Sequence, residues 1–109
     1  MNATSRSKRI ITRVRAIPPG FVSTYKDVEP SSPRLVGRVL AQHRRTAGTR
    51  GRESDVPWHR VVRSDGSAPI GAGQLELLRQ EGVPVRGYRV DLDRARLSPD
   101  WQPPPPLAS

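Results

Sequence analysis

The chain has 109 residues, a formal net charge of +9, 34% hydrophobic residues and no cysteine. This length fits one domain with a modest core, and the lack of cysteine excludes disulfides and thiolate metal sites. No apolar run approaches the roughly 20 residues of a membrane span, and no apolar signal region follows the polar N-terminus, so we expect a cytoplasmic protein. His43 and His59 are the only histidines, and neither adjoins a carboxylate cluster, so no metal or cofactor is expected.

The positive charge is concentrated in the first half of the chain. Residues 1–52 contain twelve Lys or Arg and two acidic residues, whereas residues 53–109 contain seven and eight. A basic half joined to a neutral half is typical of a surface that binds a polyanion. All basic residues except Lys8 and Lys26 are arginine, which suits phosphate contacts and stacking on bases, although the codon bias of a GC-rich genome gives the same enrichment. We favour nucleic acid as the partner.

The first predicted element is a helix over residues 6–16. Ile10, Ile11 and Val14 recur at helical spacing, with arginines on another face. Pro18-Pro19-Gly20 then ends the helix in a turn. A short extended piece is expected over 21–23.

Two helices around a tight turn are predicted next. The segment from Thr24 to Asp27 fits a capping box at the start of a brief helix. Ser32 suits the N-cap of a second helix and Pro33 its first turn. The second helix has an apolar stripe and an opposite arginine face, so the pair predicts a helix-turn-helix. The stripe comprises Leu35, Val36, Val39 and Leu40, and the face comprises Arg34, Arg38 and Arg45.

The second half of the chain predicts shorter elements. Residues 46–55 read as a polar loop, and 56–62 as an extended, mostly buried segment followed by a turn at 64–67. A short leucine-containing helix is expected over 73–81, closed by Gly82, and a terminal strand over 88–92. We place the domain at 1–97 and a Pro-rich, disordered tail at 98–109.

One six-residue run, Pro57-Trp58-His59-Arg60-Val61-Val62, resembles the active-site strand of DNA alkyltransferases that repair O-6-alkylguanine. In those enzymes a Pro-Cys-His-Arg-Val core carries the nucleophilic thiol. A free-standing C-terminal domain with Trp in place of Cys is the pattern of the alkyltransferase-like proteins, and the chain is identified as a member on that basis. The resemblance spans roughly residues 8–92 and includes the runs Ile17–Gly20, Val22–Tyr25, Arg34–Gly37 and Leu77–Val83.

The resemblance implies a mainly α fold with short β pieces, a winged-helix-like domain that contains the helix-turn-helix. Members of that family bind O-6-alkylguanine in DNA without repairing it and are thought to mark the lesion for nucleotide excision repair. The chemistry of Trp58 agrees, because an indole N–H only donates and cannot accept an alkyl group as a thiolate does. A Trp in a small domain is more often a core residue, but its position in this run favours a pocket wall. There an aromatic surface replaces the stacking that a flipped purine loses.

The resemblance also assigns roles to individual residues. Arg34 matches the arginine finger that fills the gap left by the flipped nucleotide, and Tyr25 matches the residue that helps to rotate the target phosphate. His59, Arg60 and Glu81 are expected to form the hydrogen-bonded scaffold of the pocket, since no thiol remains for them to activate. The expected pocket is Tyr25, Pro57, Trp58, His59, Arg60, Val61 and Glu81, and the expected DNA contacts are Thr24, Tyr25, Arg34, Gly37, Arg38 and Arg45.

The base edge is expected to meet backbone groups of Val61 and of the segment 64–70. The nearby residues 67–73 lack the arginine that some family members carry there, which puts affinity and preferred alkyl size in doubt.

Three functions remain open at this stage. The first is a non-enzymatic sensor of alkylated guanine in double-stranded DNA, a monomer that hands the lesion to nucleotide excision repair proteins such as the UvrA type. The second is a sequence-specific helix-turn-helix regulator, which would leave the 57–62 run unexplained. The third is an enzyme acting on a flipped base, such as a glycosylase, which ranks last because the sequence offers no metal site and no convincing catalytic Asp or Glu beside the pocket.

Overall fold

The computed structural model describes residues 2–50, 56–98, 100 and 101, with side chains described for 5–44 and from 56 onward within those ranges. The described chain is mainly helical with short strands, as predicted. Its elements in order are α1 (Asn2–Arg15), β1 (Ser23–Thr24), α2 (Tyr25–Val28), α3 (Pro33–Arg50), a 3-10 turn (Trp58–Arg60), β2 (Val61–Val62), α4 (Ala72–Gln80), β3 (Val85–Arg86), β4 (Arg89–Val90) and α5 (Leu92–Ala95).

Helix α1 carries the predicted apolar face into the core. It begins at Asn2, four residues before the predicted start, and ends at Arg15. Ile10 and Val14 are fully buried, and Gly20 adopts a φ of +93° in the turn that follows. A positive φ is strained for residues with a Cβ, so glycine suits this reversal.

The helix-turn-helix is formed by α2 and α3, as predicted. The Thr24 hydroxyl oxygen accepts a hydrogen bond from the Asp27 backbone N–H at 3.1 Å, which confirms Thr24 as the N-cap of α2. Helix α3 begins at Pro33, where the missing N–H of proline leaves no bond unmade. Both α1 and α2 pack against α3.

The predicted loop over 46–55 is wrong in its first half. Residues 46–50 continue α3 to Arg50, and residues 51–55 lie outside the described part of the chain. This stretch contains no proline, and its single helical glycine costs only about 1 kcal/mol. Helix α3 therefore continues through polar residues, although their composition is typical of a loop.

Two apolar clusters form the core, on either side of a small parallel sheet. Strand β1 pairs with β2, with Ser23 opposite Val61 and Thr24 opposite Val62. The first cluster joins α1, α2 and α3 and contains Ile10, Val14, Ile17, Val28, Val36, Val39, Leu40, Val56 and Val61. The second joins α4 to the C-terminal strands and contains Val22, Val62, Leu75, Leu78, Val83, Val90 and Ala95.

The predicted extended segment over 56–62 is a strand only at its end. Val61 and Val62 form β2, but Trp58–Arg60 makes a 3-10 turn in which the Arg60 N–H donates to the Pro57 carbonyl at 3.0 Å. The valines of segment 56–62 are β-branched, so its sequence has the pattern of a strand. The 3-10 turn forms because side chains from α4 contact it, as described below.

The C-terminal part is a helix followed by a hairpin. Helix α4 covers Ala72–Gln80, one residue earlier at each end than predicted, and Gly82 follows it with a φ of +83°. The predicted strand over 88–92 shrinks to β4, because Tyr88 lies in the hairpin turn and Leu92 begins α5. Strand β4 pairs antiparallel with β3.

The chain follows the domain surface past residue 97. Ser98 and Trp101 line a cleft of about 530 Å³ together with Ile17 and Val28 of the main body. The rest of the predicted tail, including its proline run, lies outside the described residues. No helix in the described part has the length and apolar character needed to cross a membrane. Within the same residues no three His, Asp or Glu side chains are grouped as metal ligands.

Candidate DNA-binding site

Trp58 lies at the start of the 3-10 turn and is half-buried. Its ring packs against the first core cluster and meets the His59 ring edge-on, with centroids 5.8 Å apart and planes at 84°. The backbone N–H of Trp58 donates to the Val56 carbonyl at 2.8 Å, which fixes the turn at its beginning. The indole therefore contributes to the core, and its role as a pocket wall stays a prediction.

His59, Arg60 and Glu81 form the scaffold that the sequence predicted. The Arg60 guanidinium donates to both Glu81 carboxylate oxygens, at 2.9 and 2.7 Å, and also to the Ile17 carbonyl at 2.8 Å. The His59 Nε2 lies 2.9 Å from Glu81 Oε2. One carboxylate thus joins the end of α4 to both residues that follow Trp58, and Arg60 ties them to the end of α1.

The Glu81 carboxyl is held in its charged form. Hydrogen bonds from Arg60, followed by those from His59, lower its pKa from 4.5 to about 2 against the opposing effect of burial. A carboxylate that stays ionised at neutral pH keeps accepting hydrogen bonds from both partners. The scaffold is therefore electrostatically complete without a thiol.

Gln74 also stabilises the 3-10 turn, and the sequence analysis did not identify it. Its side chain is 1% exposed, and its amide nitrogen donates to the carbonyls of His59 and Val61 at 3.1 and 2.8 Å. Its amide oxygen accepts from the Ile70 N–H at 3.1 Å. The available signal was a glutamine directly beside Leu75 and one turn from Leu78, on the apolar side of α4.

The Val61 backbone is engaged within the protein, and its predicted role in reading a base stays a prediction. Its N–H donates to the Trp58 carbonyl, its carbonyl accepts from Gln74, and the residue is fully buried. Val61 therefore supports the turn from the core.

Tyr25, the first residue of α2, packs against the first core cluster and faces α3. A Cβ added to Gly37 would lie 4.0 Å from the Tyr25 ring, so the glycine faces this tyrosine across the helix pair. Burial raises the pKa of the Tyr25 hydroxyl, and the positive charges of Arg63 and Arg44 partly offset that effect. Two arginines therefore lie near this hydroxyl, and neither was identified from the sequence.

Arg44 lies over the indole ring of Trp58. Its guanidinium carbon lies 5.7 Å from the Trp58 ring centroid, within the range of a cation–π contact. Arg44 lies four residues after Leu40 on the apolar stripe of α3, so helical spacing pointed to an inward position for it.

The exposed arginine face of α3 is present where the sequence placed it. Arg34 and Arg38 are both exposed, whereas the side chain of Arg45 lies outside the described residues. On α1, Arg9 donates to Glu29 at 2.8 and 2.9 Å, and Arg13 donates to the Val28 carbonyl. Because these two arginines make contacts within the protein, the exposed arginines of α3 are more available to bind a polyanion.

Comparisons with known proteins agree with this geometry. The family model described as the DNA-binding domain of 6-O-methylguanine DNA methyltransferase matches residues 5–83. The chain therefore belongs to this family. It is 39% identical over 99 residues to an Escherichia coli DNA base-flipping protein, covering 82% of this chain and 71% of that one.

Alkyltransferase-like proteins and their complexes with DNA are also similar to this chain. Alkyltransferase-like protein 1 of Schizosaccharomyces pombe is 34% identical over 109 residues, covering 87% of this chain and 93% of that protein. A crystal structure of S. pombe Atl1 with damaged DNA containing O6-carboxymethylguanine superposes with a TM-score of 0.69 at 29% identity, over 92% of this chain and 97% of that one. A second S. pombe complex with DNA gives a TM-score of 0.66 at 28% identity, with the same coverage.

Proposed function

We propose that this protein is a non-enzymatic sensor that binds O-6-alkylguanine in duplex DNA and flips the base against Trp58. The observation that carries the proposal is the intact His59–Arg60–Glu81 scaffold around a tryptophan, in a chain without cysteine. Alkyl transfer needs a nucleophile at this position, and the indole supplies none. Binding energy then stabilises the flipped state without a chemical step.

The remaining site residues have physically distinct roles in this proposal. Tyr25 acts on the target phosphate, and the Thr24 cap holds the helix that begins with it. Arg34 lies in the first turn of α3 and fills the gap in the base stack, since a planar guanidinium can stack and hydrogen-bond together. Arg38, and Arg45 further along the helix, contact phosphates, while Gly37 leaves room for Tyr25.

The similar proteins support this assignment through what they bind. One relative is named a DNA base-flipping protein, and the Atl1 complex holds DNA with O6-carboxymethylguanine. A marking role, in which a monomer on the DNA passes the lesion to nucleotide excision repair proteins of the UvrA type, goes with the same proposal. A cytoplasmic, nucleoid-associated location is part of the same proposal.

A binding titration on matched duplexes tests the proposal. The two duplexes differ at one position, guanine against O-6-methylguanine, and we expect tighter binding to the methylated one because flipping costs less for a weakly paired base. Scrambling the sequence around the lesion is the control. Equal affinity for both duplexes would contradict the proposal, and a preference that follows the sequence would favour the helix-turn-helix regulator.

A further inference from the structure

Arg44 occupies a position that the proposed function has not yet used. It lies seven residues after Gly37, so both face the same side of α3, two turns apart. Gly37 faces Tyr25, and the Arg44 guanidinium lies over the Trp58 ring at 5.7 Å. Arg44 is half-buried, in contrast to the exposed Arg34 and Arg38 of the same helix.

The space above the indole is the surface on which a flipped base would stack. A base inserted between the guanidinium and the indole needs two stacking distances of about 3.4 Å each, or about 7 Å in total. The present separation is 5.7 Å. The guanidinium must therefore withdraw by only about 1 Å, which a long, unbranched side chain can do without movement of α3.

Only a flipped base can make this contact. A planar guanidinium on the face of the base adds a cation–π interaction to the stack on the indole. Flipping costs less for an alkylated, weakly paired base than for guanine, so a contact made only in the flipped state contributes more to the complex with the lesion. The loop at 67–73 contains no basic residue.

We propose that Arg44 is a specificity-determining residue, whose guanidinium holds the flipped base against Trp58 and favours the alkylated form. This inference rests on the proposed function and adds the group that discriminates between the two bases. The contact between Arg44 and Trp58 then pre-forms the stacking site before DNA binds.

The test compares wild type, R44A, R44K and the control R38A on the guanine and O-6-methylguanine duplexes. We expect R44A to reduce the ratio of the two affinities by about two- to thirtyfold, the range of a partly desolvated cation–π contact. R44K keeps the charge without the plane and should restore part of the ratio. R38A should weaken both duplexes by the same factor. Thermal unfolding of each variant verifies that it is folded.

Each other outcome overturns the inference in a distinguishable way. Equal weakening of both duplexes by R44A, matching R38A, would show an ordinary phosphate contact. Unchanged or tighter lesion binding would show that the guanidinium is dispensable or merely obstructs the indole. A wild-type protein that binds both duplexes equally would overturn the proposed function and this inference together, whereas a wild-type preference that survives in R44A would overturn this inference alone.

Discussion

At Trp58 the chain combines an inert side chain with a scaffold that is otherwise kept in full. The Arg60–Glu81 fork and the His59–Glu81 contact hold the turn that presents the indole, and both partners are more than four-fifths buried. A buried polar network of this kind must be complete to be stable, because a partner left alone is costly. The scaffold therefore has a structural role of its own in holding this turn.

Replacing Glu81 tests this structural role. In E81Q the Arg60 guanidinium loses its counter-charge, and we expect the free energy of unfolding to fall by about 2 kcal/mol, the scale of hydrogen bonds to charged groups. The matched control is E76Q on α4, which breaks an exposed pair with Arg79 at 3.7 Å and should cost below about 1 kcal/mol. Urea unfolding measures both. Equal losses would show that the network contributes no more than a surface ion pair.

The same comparison predicts a pH dependence. The Glu81 pKa is about 2 in the folded state against 4.5 for the free side chain. Its stabilising contribution is therefore complete above pH 4.5 and is lost as the pH falls through about 2. The stability difference between wild type and E81Q should therefore be full at about pH 6 and smaller at about pH 3, measured by urea unfolding. A difference that stays constant with pH would contradict the assigned cause.

The two exposed arginines of α3 predict separable effects on DNA binding. R34A should weaken lesion binding by about 1–3 kcal/mol, the scale of a lost stacking partner. R38A should weaken all duplexes alike and reduce the salt dependence of binding, as expected for one phosphate contact. Titrations at two salt concentrations separate the cases. If R34A lowers only the nonspecific affinity, Arg34 is not the finger.

At the scale of the secondary-structure elements, the sequence predicted a helix correctly where its cap or its apolar face is formed by residues close together in the chain. Thr24 caps α2 through its neighbour Asp27, Pro33 starts α3, and Ile10 and Val14 define the inner face of α1. These features depend on residues a few positions apart, so the sequence alone predicts them.

The errors lie where distant residues decide the conformation. The turn at Trp58 is held by Gln74 and Glu81, which lie 16 and 23 positions further along the chain, and no local pattern shows those bonds. Arg44 over Trp58 is a tertiary contact of the same type. The motif predicted that His59, Arg60 and Glu81 form one network, whereas the turn and the position of Arg44 depend on the three-dimensional fold.

The turn over residues 64–67, which lies against β4, offers a prediction about one glycine. Gly66 has a φ of +88°, and a Cβ there would lie 2.5 Å from the Val90 carbonyl oxygen. Together these should make G66A lose about 1–3 kcal/mol of stability. G73A is the matched control, because its Cβ meets nothing within 4 Å and alanine favours the helix by about 1 kcal/mol. Thermal unfolding should move in opposite directions for the two variants, and parallel shifts would contradict the strain at Gly66.

Across the whole molecule, charge and pocket lie on one structural unit. Helix α3 presents Arg34 and Arg38 outward and Arg44 over the indole, while α1 uses Arg9 and Arg13 to hold Glu29. Some arginines of the basic first half therefore stabilise the fold, and others are exposed and available to bind a polyanion. DNA bound along α3 would lie close to Tyr25 and Trp58. The charge that attracts any DNA would therefore lie beside the residues that are proposed to contact a flipped base.

The central claim is that the protein holds alkylated guanine and leaves it chemically unchanged. A duplex with a radiolabelled O-6-methyl group, incubated with excess protein, tests this directly once complex formation is verified by a mobility shift. After proteinase digestion, the account predicts that all label remains on DNA, with the base and its glycosidic bond intact. Label on the protein would show alkyl transfer, and released base or methanol would show a different enzyme; either result would contradict the account.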